Sequence, residues 1–192
     1  MGVKAERAAA TRTRLVAAAR ALFAAEGYAA TSTEAILAAA GVTRGALYHH
    51  FADKQALFAA VCEDLHGEAE QVIETDADAQ GSAFDGLTAG CLAFLDFMAA
   101  PQVRRILILD APSVLGWESW NEMDRRHGFG LLIAGVQAAI DEGSLEGDPE
   151  TLAVMINGAL NYGVVWAGHG EGPEALVRLK SSFIEAMTRL RR

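Results

Sequence analysis

The chain is 192 residues long, 52% hydrophobic and 21% charged, with a formal net charge of −9 and two cysteines. That length buries a sizeable core in one or two domains without a covalent staple. Cys62 and Cys91 flank no metal-type spacing and lie in apolar helical patterns, so they read as small buried hydrophobes in a reducing compartment. The acidic sum argues against a polyanion partner until its distribution is read. Residues 1–58 hold seven Lys and Arg against four Asp and Glu, a balance of +3, whereas residues 59–192 hold nine against twenty-one, a balance of −12.

Lys4, Glu6, Arg7, Arg12 and Arg14 interrupt the amino terminus, which therefore lacks the apolar segment of a signal peptide. No run approaches a membrane span, so a cytoplasmic protein with no membrane partner is expected. The first helix is predicted from about Ala8 to Glu26, with Leu15, Ala19, Leu22 and Phe23 at helical spacing and Gly27 as its stop. Its arginines are read as solvated, although they and the flexible Lys4 lie on the basic side.

Thr31–Lys54, TSTEAILAAAGVTRGALYHHFADK, reads as two short helices joined by a tight glycine turn. Thr31 and Glu34 are spaced as a capping box, and Ile36, Leu37, Ala39 and Ala40 supply an apolar face. Gly41 sits where a helix ends in a left-handed residue. Thr43 opens the second helix, in which Leu47 and Phe51 point inward and Arg44, Gly45, Tyr48 and His49 point outward. A major groove about 12 Å wide admits one such helix. Gly45 and Ala46 keep its first turn slim, Arg44 has the fork to grip a guanine edge, and Tyr48, His49 and His50 have donors for phosphate oxygens. Asp53 caps the next helix, with Lys54 in its first turn beside amides that favour an anion.

That helix carries Leu57, Val61, Leu65 and Val72 towards Glu74, and the run Thr75–Ala83 then reads as a loop. Phe84, Leu87, Cys91, Phe94, Leu95 and Met98 form an amphipathic helix ended by Pro101. A short apolar helix over Val103–Leu109 breaks around Pro112. The stretch Trp117–Glu142 is again helical, although Gly128, Gly130 and Gly135 predict close packing or a kink. After a turn at Gly143–Gly147, Asp148 caps and Pro149 opens a long apolar helix ending near Gly168. Gly168–Gly172 is a flexible break with His169 an exposed loop residue, and Pro173 begins the last helix, with a stripe of Leu176, Leu179, Phe183, Met187 and Leu190. No strand pattern and no repeat occurs, so the expectation is an all-α fold of about nine helices. Ile156, Leu160, Val164, Val165, Ile184 and Met187 make the last two helices apolar enough to pair with a second copy as a four-helix bundle.

The string GVTRGALYHHFADKQALF resembles the DNA-binding motif of TetR-family transcriptional regulators, over roughly the first quarter to third of the chain. Beyond Phe58 the similarity is one of layout. The resemblance implies an N-terminal three-helix helix-turn-helix DNA-binding domain over residues 1–54 and a C-terminal helical ligand-binding and dimerisation domain over residues 55–192. It also implies a homodimer that represses from a palindromic operator in double-stranded DNA until a small-molecule effector releases it. Carried over to this chain, the DNA contacts are Thr33, Thr43, Arg44, Gly45, Tyr48, His49, His50 and Lys54, with Thr43, Arg44 and Gly45 nearest the bases. A ligand pocket is implied among Phe94, Met98, Trp117, Trp120 and Met123, anchored by Asn157 and Asn161, with Tyr162 a further candidate anchor.

A competing reading takes Glu63 with His66, and Asp124 with His127, as carboxylate and imidazole pairs at the i, i+3 spacing of a metal-dependent helical-bundle enzyme. The second pair is Asp-based and stands beside Arg125 and Arg126, unlike a diiron ligand set. There is no nucleophile motif, no phosphate-binding glycine loop and no CxxC. A non-enzyme without a cofactor is therefore the expectation.

Overall fold

The computed structural model describes residues 2–169 and 173–192, and among them every regular element is helical. The elements are α1 (Val3–Glu26), α2 (Thr33–Ala40), α3 (Arg44–His50), α4 (Lys54–Asp78), α5 (Ala83–Ala99), α6 (Pro101–Val103), a π-helical segment (Arg104–Asp110), α7 (Ala111–Leu115), α8 (Trp117–Arg126), α9 (Gly128–Asp141), α10 (Pro149–His169) and α11 (Pro173–Leu190). The all-α expectation is met, and two of the expected helices are subdivided. Val103–Leu109 belongs to a run of α6, π-helix and α7, and Trp117–Glu142 is cut at His127, whose φ of −117° and ψ of −115° are not helical. Gly170–Gly172 of the expected flexible break lie outside the described residues. His169 is the last residue of α10, its Nδ1 2.8 Å from the Val165 carbonyl oxygen.

Compactness groups the chain into two units, one of residues up to Leu65 with Arg105–Trp120, the other of His66–Arg104 with Asn121–Arg192. In the first, α1 packs against α2 and α3. Its core is Leu15, Phe23, Ile36, Leu47, Leu57 and Phe58, all sealed from solvent. Phe23, Tyr28 and Phe58 close an aromatic triangle with centroids 5.0–5.6 Å apart, within the range in which ring pairs attract. The turn after α1 is fixed from the same unit. Tyr28 N–H donates to Asp110 Oδ2 at 2.9 Å and Arg105 Nη2 donates to the Glu26 carbonyl at 2.9 Å. Gly27 has φ +83°, a conformation that L side chains rarely adopt, so the backbone of this turn favours glycine, and the Arg105 guanidinium lies against it.

In the second unit α5 lies against α9, α10 and α11, with Phe84, Leu87, Phe94, Leu95 and Met98 buried. Its N-terminus is capped twice. Ser82 Oγ accepts from Asp85 N, and the Glu142 carboxylate accepts from the Ala83 and Phe84 amides at 3.1 and 3.2 Å. Asp148 caps α10 by accepting from Thr151 N at 2.8 Å, with Pro149 at the first helical position as expected. Both cysteines are free and buried, and burial pushes the Cys91 thiol up to about 12, so it stays protonated.

Three expectations about elements are corrected. The α2 cap is Ser32, whose Oγ accepts from Ala35 N at 3.1 Å; Thr31 is buried and donates back to the Gly27 carbonyl at 2.8 Å. Helix α4 continues through TDAD to Asp78, because aspartate and alanine alternate without a breaker and Thr75 Oγ1 bonds back to the Gln71 carbonyl at 2.6 Å. Ala39 faces solvent, and Ile36 and Ala40 alone are the fully buried residues of α2.

Candidate nucleic-acid interface and effector cavity

The first site is built on the turn between α2 and α3. Helix α2 ends in Gly41, at φ 63° and ψ 41°, a left-handed conformation that costs an L side chain roughly 1–2 kcal/mol. Two residues later Thr43 starts α3 by accepting from Ala46 N through Oγ1. Leu47 and Phe51 are buried beneath α3, which holds the helix by one side only. Thr43, Arg44, Gly45, Tyr48 and His49 are exposed, and His50 and Thr33 are half-buried. The outward face is therefore the one the sequence pattern assigned.

Two cations there already have partners. Arg44 Nη2 is ion-paired with Glu34 Oε1, both side chains being about two-thirds exposed. Such an exposed pair is worth about 0–1 kcal/mol, so phosphate or a base edge can displace it. Lys54 is half-buried. Its ammonium donates to the Tyr28 and Thr31 carbonyls at 2.9 Å each and lies 4.1 Å from the Tyr28 ring centroid. One of its three N–H groups remains for an external acceptor. Asp53, at the head of α4, accepts from Ala56 N at 2.7 Å.

The second site is a cavity of about 240 Å³ within the second unit, between α4, α5, α9 and α10. Its walls include Leu87, Phe94, Leu131, Leu132 and Leu160, and Glu74 and Asp78 also line it. Of the seven residues expected around a ligand, it brings together Phe94 and Asn157. Asn157 donates through Nδ2 to Asp124 Oδ2 at 3.2 Å and accepts from Asn161 Nδ2 at 3.0 Å, so Asn161 stands behind it rather than in the wall. Met98 and Met123 are buried elsewhere. Trp117 and Trp120 belong to the first unit, where their rings lie 5.0 Å apart and Trp120 Nε1 donates to the Leu107 carbonyl. Tyr162 faces solvent. Sequence reasoning followed bulk: it read Gly128 and Gly135 as close packing or a kink and passed over Gly86 and Gly90, all four of which line the space. The i, i+4 recurrence of Gly86 and Gly90 on α5 was the available signal.

The metal-enzyme reading is corrected. His66 and His127 stack with ring centroids 5.3 Å apart and planes 10° from parallel; His127 Nδ1 stands 3.1 Å from Glu70 Oε2. The Asp124 carboxylate accepts from Asn157, and burial holds it above the usual carboxylate range against that hydrogen bond and His127. Among the described residues no three His, Cys, Asp or Glu side chains converge on a point that suits a metal ion. None of the described helices is by itself long and apolar enough to cross a membrane.

Residues 15–61 match the family model described as bacterial regulatory proteins, tetR family, and residues 84–190 match a tetracyclin repressor-like C-terminal domain. The Transposon Tn10 TetC protein of Escherichia coli is 28% identical over 171 residues, covering 88% of this chain and 85% of that protein. The HTH-type transcriptional regulator AcrR of Shigella flexneri is 36% identical over 101 residues, 51% of this chain and 46% of that one. A crystal structure of a TetR-family transcriptional regulator from Pectobacterium atrosepticum superposes with a TM-score of 0.82 at 33% identity, covering 97% of this chain and 96% of that chain.

Proposed function

Because this chain belongs to the tetR family of transcriptional regulators, we propose that it represses transcription as a dimer on a palindromic operator and is released by a small molecule held in its second unit. It is a DNA-binding regulator and not an enzyme. In this reading residues 1–54 are the DNA-binding domain and residues 55–192 the effector and dimerisation domain, working in the cytoplasm where the operator is.

The observation that carries the reading is the one-sided burial of α3, with Leu47 and Phe51 sealed below and Arg44, Gly45, Tyr48 and His49 open above. A helix held by one side in this way can lay its other side in a major groove. Thr43, Arg44 and Gly45 then face the bases, with Arg44 exchanging Glu34 for a guanine. Thr33, Tyr48, His49, His50 and the remaining N–H of Lys54 meet phosphates.

A second copy is the proposed cover for the apolar surface of α10 and α11, which expose Val154, Met155, Tyr162, Trp166, Val177, Ile184 and Leu190. Ile156, Leu160, Val164 and Met187, expected at this surface, are buried in the chain itself. Pairing two copies puts two α3 helices one helical turn apart on DNA, about 34–36 Å. Effector binding shifts the population of dimers away from that spacing, and a few kcal/mol of differential affinity suffices.

Footprinting of the promoter regions nearest the gene tests the reading. A protected palindrome that is lost on adding an effector is expected. No protected site in any of them would overturn it.

A further inference from the structure

We infer that the ligand of the 240 Å³ cavity is a small lipophilic cation, an amine with an apolar body, and not a carboxylate or a phosphorylated molecule. This rests on the reading of that cavity as the effector site and adds the chemistry of its occupant. The lining holds Glu74 and Asp78 and no Lys, Arg or His. Both carboxylates are exposed at the cavity rim in the last turns of α4, spaced i, i+4 on one face, where like charges repel weakly through water. They also stand at the negative end of the helix dipole, and α4 has no basic residue in its last turn to offset it. Neither has an ion-pair partner among the described residues.

Three sources of negative potential therefore meet at the edge of a space walled by Leu87, Phe94, Leu131, Leu132 and Leu160. A positive group placed there relieves the repulsion between the two carboxylates, while an anion adds a third like charge. The apolar walls take the hydrocarbon part. Size narrows the class further. The cavity is smaller than the roughly 300–1,000 Å³ common for drug-sized ligands, which suits one ring and a short chain. Asn157 has one N–H left after Asp124 and can orient an acceptor on that body, but it brings no charge.

The test uses the full-length protein and three probes of one shape: 4-phenylbutylammonium, 4-phenylbutanol and 4-phenylbutyrate. Calorimetric titration is expected to give the ammonium a Kd about tenfold lower than the alcohol, with the carboxylate weakest. In Glu74→Gln/Asp78→Asn the ammonium and the alcohol should become equal, and 1 M salt should narrow the gap in the wild type, since rim charges are screened. Glu118→Gln, outside the lining, should leave the order unchanged. Equal or better binding of the alcohol or the carboxylate to the wild type overturns the inferred charge and leaves the effector reading intact. Failure of all three to bind protein that still binds its operator overturns the cavity's occupant altogether, and operator binding itself, measured alongside, reports separately on the regulator.

Discussion

Arg44 and Lys54 sit at opposite ends of the same short motif, and the structure gives them different partners and hence different consequences. Arg44 is tethered only by an exposed ion pair, so replacing Glu34 by Gln frees the guanidinium and removes a negative charge from the surface proposed to face DNA. Anisotropy titrations should show Glu34→Gln binding specific and unrelated duplexes alike a few-fold more tightly; weaker binding would mean that Glu34 orients Arg44. Lys54 is anchored by two charged hydrogen bonds to the carbonyls of Tyr28 and Thr31. Lys54→Ala should therefore lower stability by about 1–3 kcal/mol in a denaturant titration and weaken binding to all sequences without changing the preferred one. The outward residues of α3 were legible because glycine, small residues and the Leu47/Phe51 spacing leave one possible inner face. That Lys54 bends back to two carbonyls was not legible, because a carbonyl is present at every residue and its direction is set by the fold.

At the scale of the helix, capping chemistry and breakers predicted most starts and stops. Asp53, Asp148 and Gly41 act as their types suggest, while Thr31 and Ser32 are chemically equivalent caps that only burial separates. The π-helical segment Arg104–Asp110 has no signature in RRILILD, and its role in holding Glu26 and Tyr28 is a long-range contact. The cavity lining was the least legible, since an aromatic at helical spacing looks the same in a core and in a cavity wall. Asp124 in α8 gives a prediction about pH. Burial raises its pKa in the folded state above the unfolded value, so the folded chain binds the extra proton and stability falls as pH rises through the window between the two. Asp124→Asn keeps an oxygen to accept from Asn157 and removes the charge. Thermal unfolding should show a midpoint a few degrees higher at neutral pH and a flatter acid dependence; a lower midpoint would mean that the charge is needed by His127.

For the whole molecule, the charge split and the apolar terminal helices carry the argument. The +3 and −12 parts divide near Phe58, close to residue 61 where the match to the N-terminal family model ends, while a separate C-terminal family model takes up residues 84–190; an acidic remainder favours presenting the basic end to DNA. The exposed residues of α10 and α11 include Met155 at 67% and Tyr162 at 73% exposure, more than a lone chain has reason to leave open. Met155→Glu/Tyr162→Glu should sediment as a monomer with its helical signal intact and lose at least tenfold in operator affinity; a wild-type monomer would contradict the proposed interface.

Selection of bound duplexes from random DNA, run in parallel on the wild type and on Arg44→Ala, bears most directly on the claim that α3 reads the groove. The wild type should enrich a palindrome with half-sites about 10–10.5 base pairs apart, or a multiple of that, and Arg44→Ala should relax one base pair in each half-site at a cost of about 1–3 kcal/mol. An unsymmetrical or absent motif, or the same motif from both proteins, would contradict it.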